Sequence, residues 1–97
     1  MGKQILTITS AEVPAERAGE VVSAYQAILE QDFPDGLLHT HLVHDGRGNW
    51  AIHTLWRDQA AIDAMRTGPR PPAAPALFRT LGAEPTLRIL TVEAAST

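Results

Sequence analysis

Between Gln4 and Ser10 the chain reads QILTITS, a mix of β-branched and apolar positions over the length of one strand. The apolar period then lengthens. Ala18, Val21, Val22, Tyr25, Ile28 and Leu29 recur at three- and four-residue spacing and make one apolar stripe able to cover a sheet face. Val13-Pro14-Ala15-Glu16 opens this segment, with proline at a first-turn position where its missing N–H costs nothing and Glu16 at the positive end of the helix dipole. A helix is therefore expected over residues 14–32, and Phe33-Pro34-Asp35-Gly36 breaks it.

Residues 36–57, GLLHTHLVHDGRGNWAIHTLWR, read as two strands around a tight Asp45-Gly46-Arg47-Gly48 connection whose glycines supply positive φ. With His44 paired to Asn49, strand parity puts His39 and His41 on one face and His53 on the other. Asp58 is placed to cap a short helix over residues 59–67 that carries Ile62 and Met65, and Gly68 to end it. The stretch Pro69-Arg70-Pro71-Pro72-Ala73-Ala74-Pro75 cannot continue that helix and reads as a stiff surface loop. Residues 76–81 resume a helical turn or two before Gly82, and TLRILTVE, residues 86–93, is the last strand.

The resulting order is β-α-β-β-α-β, an α+β ferredoxin-like arrangement in which a four-stranded antiparallel sheet carries its helices on one face. The strands have bulky apolar residues on both sides: Leu6 and Ile8 against Ile5, and Trp50, Ile52 and Trp56 against Ala51 and Leu55. Helices cover only one face, so the other needs a partner. The economical one is a second copy, giving a twofold homodimer in which two sheets pack face to face.

Composition narrows the class further. A chain of 97 residues has room for one hydrophobic core, so residues 1–97 are expected to form a single domain. No apolar run approaches the roughly 20 residues of a membrane span, and the start MGKQILTITS is too polar for a secretory signal, which makes a cytoplasmic location the expectation. The absence of cysteine removes disulfides, thiolate nucleophiles and Cys-ligated metals. A net charge of -3 with a single lysine argues against a nucleic-acid footprint.

The candidate chemistry gathers in the hairpin, which holds all four histidines and both tryptophans. His39 and His41, two apart, project from one strand face, a spacing that suits two imidazoles on one ion, but a third ligand is missing and no metal is expected. The same pair, with Tyr25, could take a proton from a phenol or hydroquinone; the plainer reading makes them strand positions in a dimer interface. Trp56, helped by Trp50, could stack on a flat substrate, or could be core at a strand end. Arg79 could neutralise an oxyanion or be a solvated charge, and Arg57, Arg66 and Arg70 read as solvated.

The element order, the segment PDGLLHTHLVHDGRGNWAIHTLWRDQAAIDAM and the ending EPTLRILTVE together resemble the antibiotic biosynthesis monooxygenase family of dimeric α+β barrels, over almost the whole chain. The anchors are Gly36 at the start of the second strand, the DG turn, and Trp56 closing the third strand just before an acidic-capped helix. The resemblance implies a cofactor-independent monooxygenase acting on an aromatic polyketide or quinol-like molecule. Its aromatic-polyketide members use a Trp at the end of the third strand, an Asn four residues before it, a Tyr six after it and an Arg on the late helix; here those positions are Trp56, Ile52, Ile62 and Arg79. Its haem-degrading branch uses a His about ten residues after the Trp, where this chain has Arg66, and an Asn in the first strand, where only Thr7 and Thr9 are available. The resulting expectation gives His39 or His41 the deprotonation, Arg79 the oxyanion and Trp56 the aromatic wall. Tyr25, Trp50, Ile52 and Ile62 line the substrate, and no cofactor takes part. The alternatives are a non-catalytic dimeric ligand-binding or accessory barrel, and a polyketide cyclase.

Overall fold

The computed structural model describes residues 2–96. Four strands, β1 (Ile5–Glu12), β2 (Leu37–His44), β3 (Asn49–Trp56) and β4 (Thr86–Thr91), make one antiparallel sheet in the order β2-β3-β1-β4. Helices α1 (Ala18–Leu29), α2 (Gln59–Arg66) and α3 (Ala73–Thr80) complete the α+β ferredoxin-like architecture. The buried residues that β1 and β3 give to the two apolar clusters are Ile5 and Ala11, and Trp50, Ile52 and Trp56, all of one parity on their strand, so every helix packs on the same sheet face.

The helices differ from the sequence expectation at their ends. A 3-10 turn, Ala15–Arg17, precedes α1, and Val22 and Leu29 of the expected stripe are exposed. Asp58 caps α2 as expected, its carboxylate accepting from the Ala61 N–H at 3.0 Å. The expected proline loop is shorter than it reads, because α3 begins at Ala73. Pro75 falls in its first turn, where the missing N–H has no intrahelical partner to lose. The chain between β3 and β4 thus holds two separate helices.

The hairpin register also differs. Asp45, not His44, pairs with Asn49: the Asp45 N–H donates to the Asn49 carbonyl at 3.2 Å. The Asp45 carboxylate fills the turn, accepting from the Arg47 N–H at 2.6 Å, the Asn49 N–H at 3.2 Å and the Asn49 side-chain amide at 2.6 Å. Gly46 and Gly48, at φ 83 and 91, let the chain turn in this small space. His44 therefore pairs with Trp50, and His41 stands directly opposite His53. The expectation that His53 faces away from His39 and His41 is corrected: all three lie on the sheet face away from the helices. The register shifts once more between Leu37 and His39, and this brings Leu37 opposite Trp56.

Two apolar clusters hold the helices to the sheet. One joins α1 and α3 to the turn end of the hairpin through Val21, Tyr25, Trp50, Ile52, Leu77 and Phe78. The other joins α2 to the opposite end through Ile5, Trp56, Ala61 and Ile62. The space between these clusters is where the site forms.

Candidate functional site

Three threonines occupy neighbouring positions across the sheet on the helix-facing side: Thr40 of β2 opposite Thr54 of β3, and Thr54 opposite Thr7 of β1. They lie between the two clusters and floor a cavity of about 400 Å3. Tyr25 and Ile52 bound it from the first cluster, Trp56 and Ile62 from the second, with Ile28, Leu37 and Met65 adding apolar wall. Its volume lies within the ordinary range of small-molecule sites, and a mostly apolar lining with a few placed polar groups is their usual chemistry.

The polar groups are linked. The Tyr25 hydroxyl donates to Thr40 Oγ1 at 2.9 Å, and Thr40 and Thr54 share a hydroxyl–hydroxyl bond of 3.2 Å. Whichever threonine donates there, these three O–H groups share two bonds, so one O–H remains to donate to a ligand oxygen. The Trp56 indole Nε1 donates to Thr7 Oγ1 at 3.0 Å, fixing the ring as a wall. The Thr7 hydroxyl reaches the Thr54 carbonyl only at 3.4 Å, a weak bond that a better acceptor can displace. A planar molecule held against Trp56 would thus meet O–H donors along one edge.

The sequence-named candidates separate between two places. Trp56, Tyr25, Ile52 and Ile62 line this cavity. His39 and His41 do not, since they project from the other side of the sheet, where His41 faces His53 and the same row continues through Ile8 to Arg88. Among the described residues no group of three His, Cys, Asp or Glu side chains is arranged to hold a metal ion. Arg79 is an exposed residue in the last turn of α3 and is not part of the cavity wall. Trp50 is buried in the first cluster, its ring stacked on His44 with centroids 4.0 Å apart, and its Nε1 is buried without a hydrogen-bond partner. Deprotonation by a histidine beside Trp56 therefore has no geometry within one chain.

Sequence reasoning missed Thr40 and Thr54, met Thr7 only at the first-strand Asn position of the haem-degrading branch, and read Arg66 and Arg70 as solvated although they line the cavity. The threonines share a row only once the strand register is known. The arginines had one signal, their association with the proline-rich segment: Arg66 ends the helix before it and Arg70 stands within it.

Comparison with known proteins agrees with the architecture. Residues 5–71 match the family model described as antibiotic biosynthesis monooxygenase. No curated protein matches the sequence. Among solved structures, the chain is similar to NE2512, a protein of unknown function from Nitrosomonas europaea, at 15% identity and a TM-score of 0.76, covering 98% of this chain and 94% of that one. It is similar to a mutant of SnoaB, a cofactor-independent oxygenase from Streptomyces nogalater, at 18% identity and a TM-score of 0.73, covering 97% of each chain. The heme-degrading protein Rv3592 from Mycobacterium tuberculosis matches at 20% identity and a TM-score of 0.71, covering 100% of this chain and 99% of that one. At these identities the likenesses speak to the fold.

Proposed function

Because the chain belongs to the antibiotic biosynthesis monooxygenase family, we propose that it binds a flat hydroxylated aromatic molecule of polyketide or quinol type between sheet and helices and promotes its oxygenation by dioxygen without a cofactor. The observation that carries this reading is the cavity of about 400 Å3 with Trp56 as one wall and the Tyr25–Thr40–Thr54 hydroxyl chain along its floor. Trp56 stacks on the ring system, and the spare O–H donates to the substrate's oxygen, steadying the enolate or phenolate that forms when the substrate loses a proton. That proton leaves to water at the cavity mouth. The carbanion then gives electrons to dioxygen, a C–O bond forms, and loss of water from the hydroperoxide leaves a carbonyl. In balance, a CH2 group and O2 become C=O and H2O, with carbon supplying all four electrons.

The homodimer is part of the proposal. Leu38, Val43 and Leu90 are exposed although they lie on strands, and all of β4 is exposed. A second sheet packed on the face away from the helices would cover Leu6, Ile8 and Leu90 and place His39, His41 and His53 in that interface. A sedimentation mass of one chain at micromolar concentration contradicts it.

A second reading, a ligand-binding barrel without catalysis, is favoured by one observation: no histidine lines the cavity, and its wall has Ile52 and Ile62 where the family resemblance implies Asn and Tyr. Oxygen uptake with an anthrone or hydroxynaphthalene separates the two. Uptake above the buffer rate that falls at least tenfold in Trp56→Ala is the expected result. Uptake equal to buffer in both proteins leaves the binding role, and product formed without oxygen indicates a cyclase.

A further inference from the structure

The cavity wall contains charges that its interior chemistry does not use. Arg66 is the last residue of α2, and Arg70 lies four residues on, within the proline-rich stretch; both line the cavity, and both are exposed, so they stand at its opening. Asp32 and Phe33, past the end of α1, are likewise exposed lining residues. The ion pairs among the described residues engage Lys3, Arg17 and Arg57, and none engages Arg66, Arg70 or Asp32. Two guanidiniums and one carboxylate leave the opening net positive, in a chain whose overall charge is -3. Arg70 stands between Pro69 and Pro71, with Pro72 following, so its backbone is restricted before any ligand arrives and less conformational freedom is lost on binding. Deeper in, the wall is apolar apart from hydroxyls and the indole N–H: one spare O–H can meet a transient enolate oxygen, but a permanently ionised carboxylate there would have no cation to pair with. The cations that a carboxylate would pair with, Arg66 and Arg70, stand at the opening.

We propose that the ligand of this cavity is an aromatic acid, a hydroxylated ring system whose carboxylate sits at the opening between the guanidiniums of Arg66 and Arg70 while its rings lie against Trp56. This rests on the ligand-binding reading above and adds the chemical class. Guanidinium pairs with carboxylate in a planar, two-bond fashion that a phenol or an amide does not reproduce. Asp32 on the same rim disfavours a second negative group, so a monoacid fits better than a diacid.

The test compares two probes by calorimetric titration of the full chain: 2-naphthol and 6-hydroxy-2-naphthoic acid, alike except for the carboxylate. The acid is expected to bind about tenfold tighter, equivalent to about 1.4 kcal/mol, and the preference shrinks as ionic strength rises from about 0.05 to 0.5 M. Arg66→Gln with Arg70→Gln abolishes the preference, whereas Arg47→Gln, in the hairpin turn away from this cavity, keeps it. Thermal denaturation of each variant establishes that it folds, and the single variants, each expected to lose part of the preference, serve if the double one does not. Naphthol binding with no gain for the acid, or a preference that survives the double substitution, overturns the acid anchor and leaves the ligand site standing. Binding of neither probe overturns both.

Discussion

Thr40 is the side chain through which the cavity's polar order passes. It accepts from Tyr25 and shares a bond with Thr54, so one hydroxyl ties α1 to the β2–β3 pair. Thr40→Val keeps the shape and removes both bonds, leaving the Tyr25 hydroxyl without its acceptor. The expected loss is about 1–2 kcal/mol in urea denaturation, together with weaker binding of a hydroxylated ring; unchanged stability and affinity would show that the chain is not formed. Trp56 was legible from sequence because it ends a strand ahead of a capped helix, the place where the family resemblance implies a tryptophan. Thr40 was not. Threonine is an ordinary strand residue, and nothing in its spacing marks it until Thr54 and Thr7 are known to stand beside it.

At the scale of elements the hairpin turn decides most. Moving the pair from His44 and Asn49 to Asp45 and Asn49 is a change of one residue, and it carries His53 from one sheet face to the other. The pattern DGRG reads as a turn but leaves its loop length open, because Asp45 can stand inside the loop or close it; its carboxylate closes it, by accepting from the backbone of Arg47 and Asn49. The hydrogen bond from Asn49, then the one from Arg47, hold the Asp45 carboxyl below its ordinary value of 3.8. A depressed folded-state value means that the stabilisation is present at neutral pH and is lost as the pH falls through the folded value. Asp45→Ala should therefore melt lower than wild type at pH 7, with the gap closing on acidification below the ordinary value near 3.8. A gap constant from pH 7 to pH 3 would mean that the carboxylate's charge plays no part. The boundaries of α3 were obscured for a different reason: proline both breaks a helix and begins one, and Pro72 and Pro75 do the second.

For the whole molecule, the element order and its ferredoxin-like class were legible because the apolar period switches cleanly between strand and helix values. Which candidates meet was not, because that depends on register and on the two helices after β3 standing apart from one cluster to the other. The sheet is covered by a first apolar cluster under α1 and α3 and a second under α2, and the cavity is the interval between them, floored by Thr7, Thr40 and Thr54. Three histidines on the opposite face are outside it and, in the proposed dimer, belong to the interface. The most direct test is a titration of isotope-labelled protein with 2-naphthol followed by NMR. Shifts are expected at the Trp56 indole and at the amides of Thr7, Thr40, Thr54 and Tyr25, with the ring signals of His39, His41 and His53 unmoved. Perturbation confined to those histidines, or none at all up to millimolar ligand, would contradict a binding site between sheet and helices.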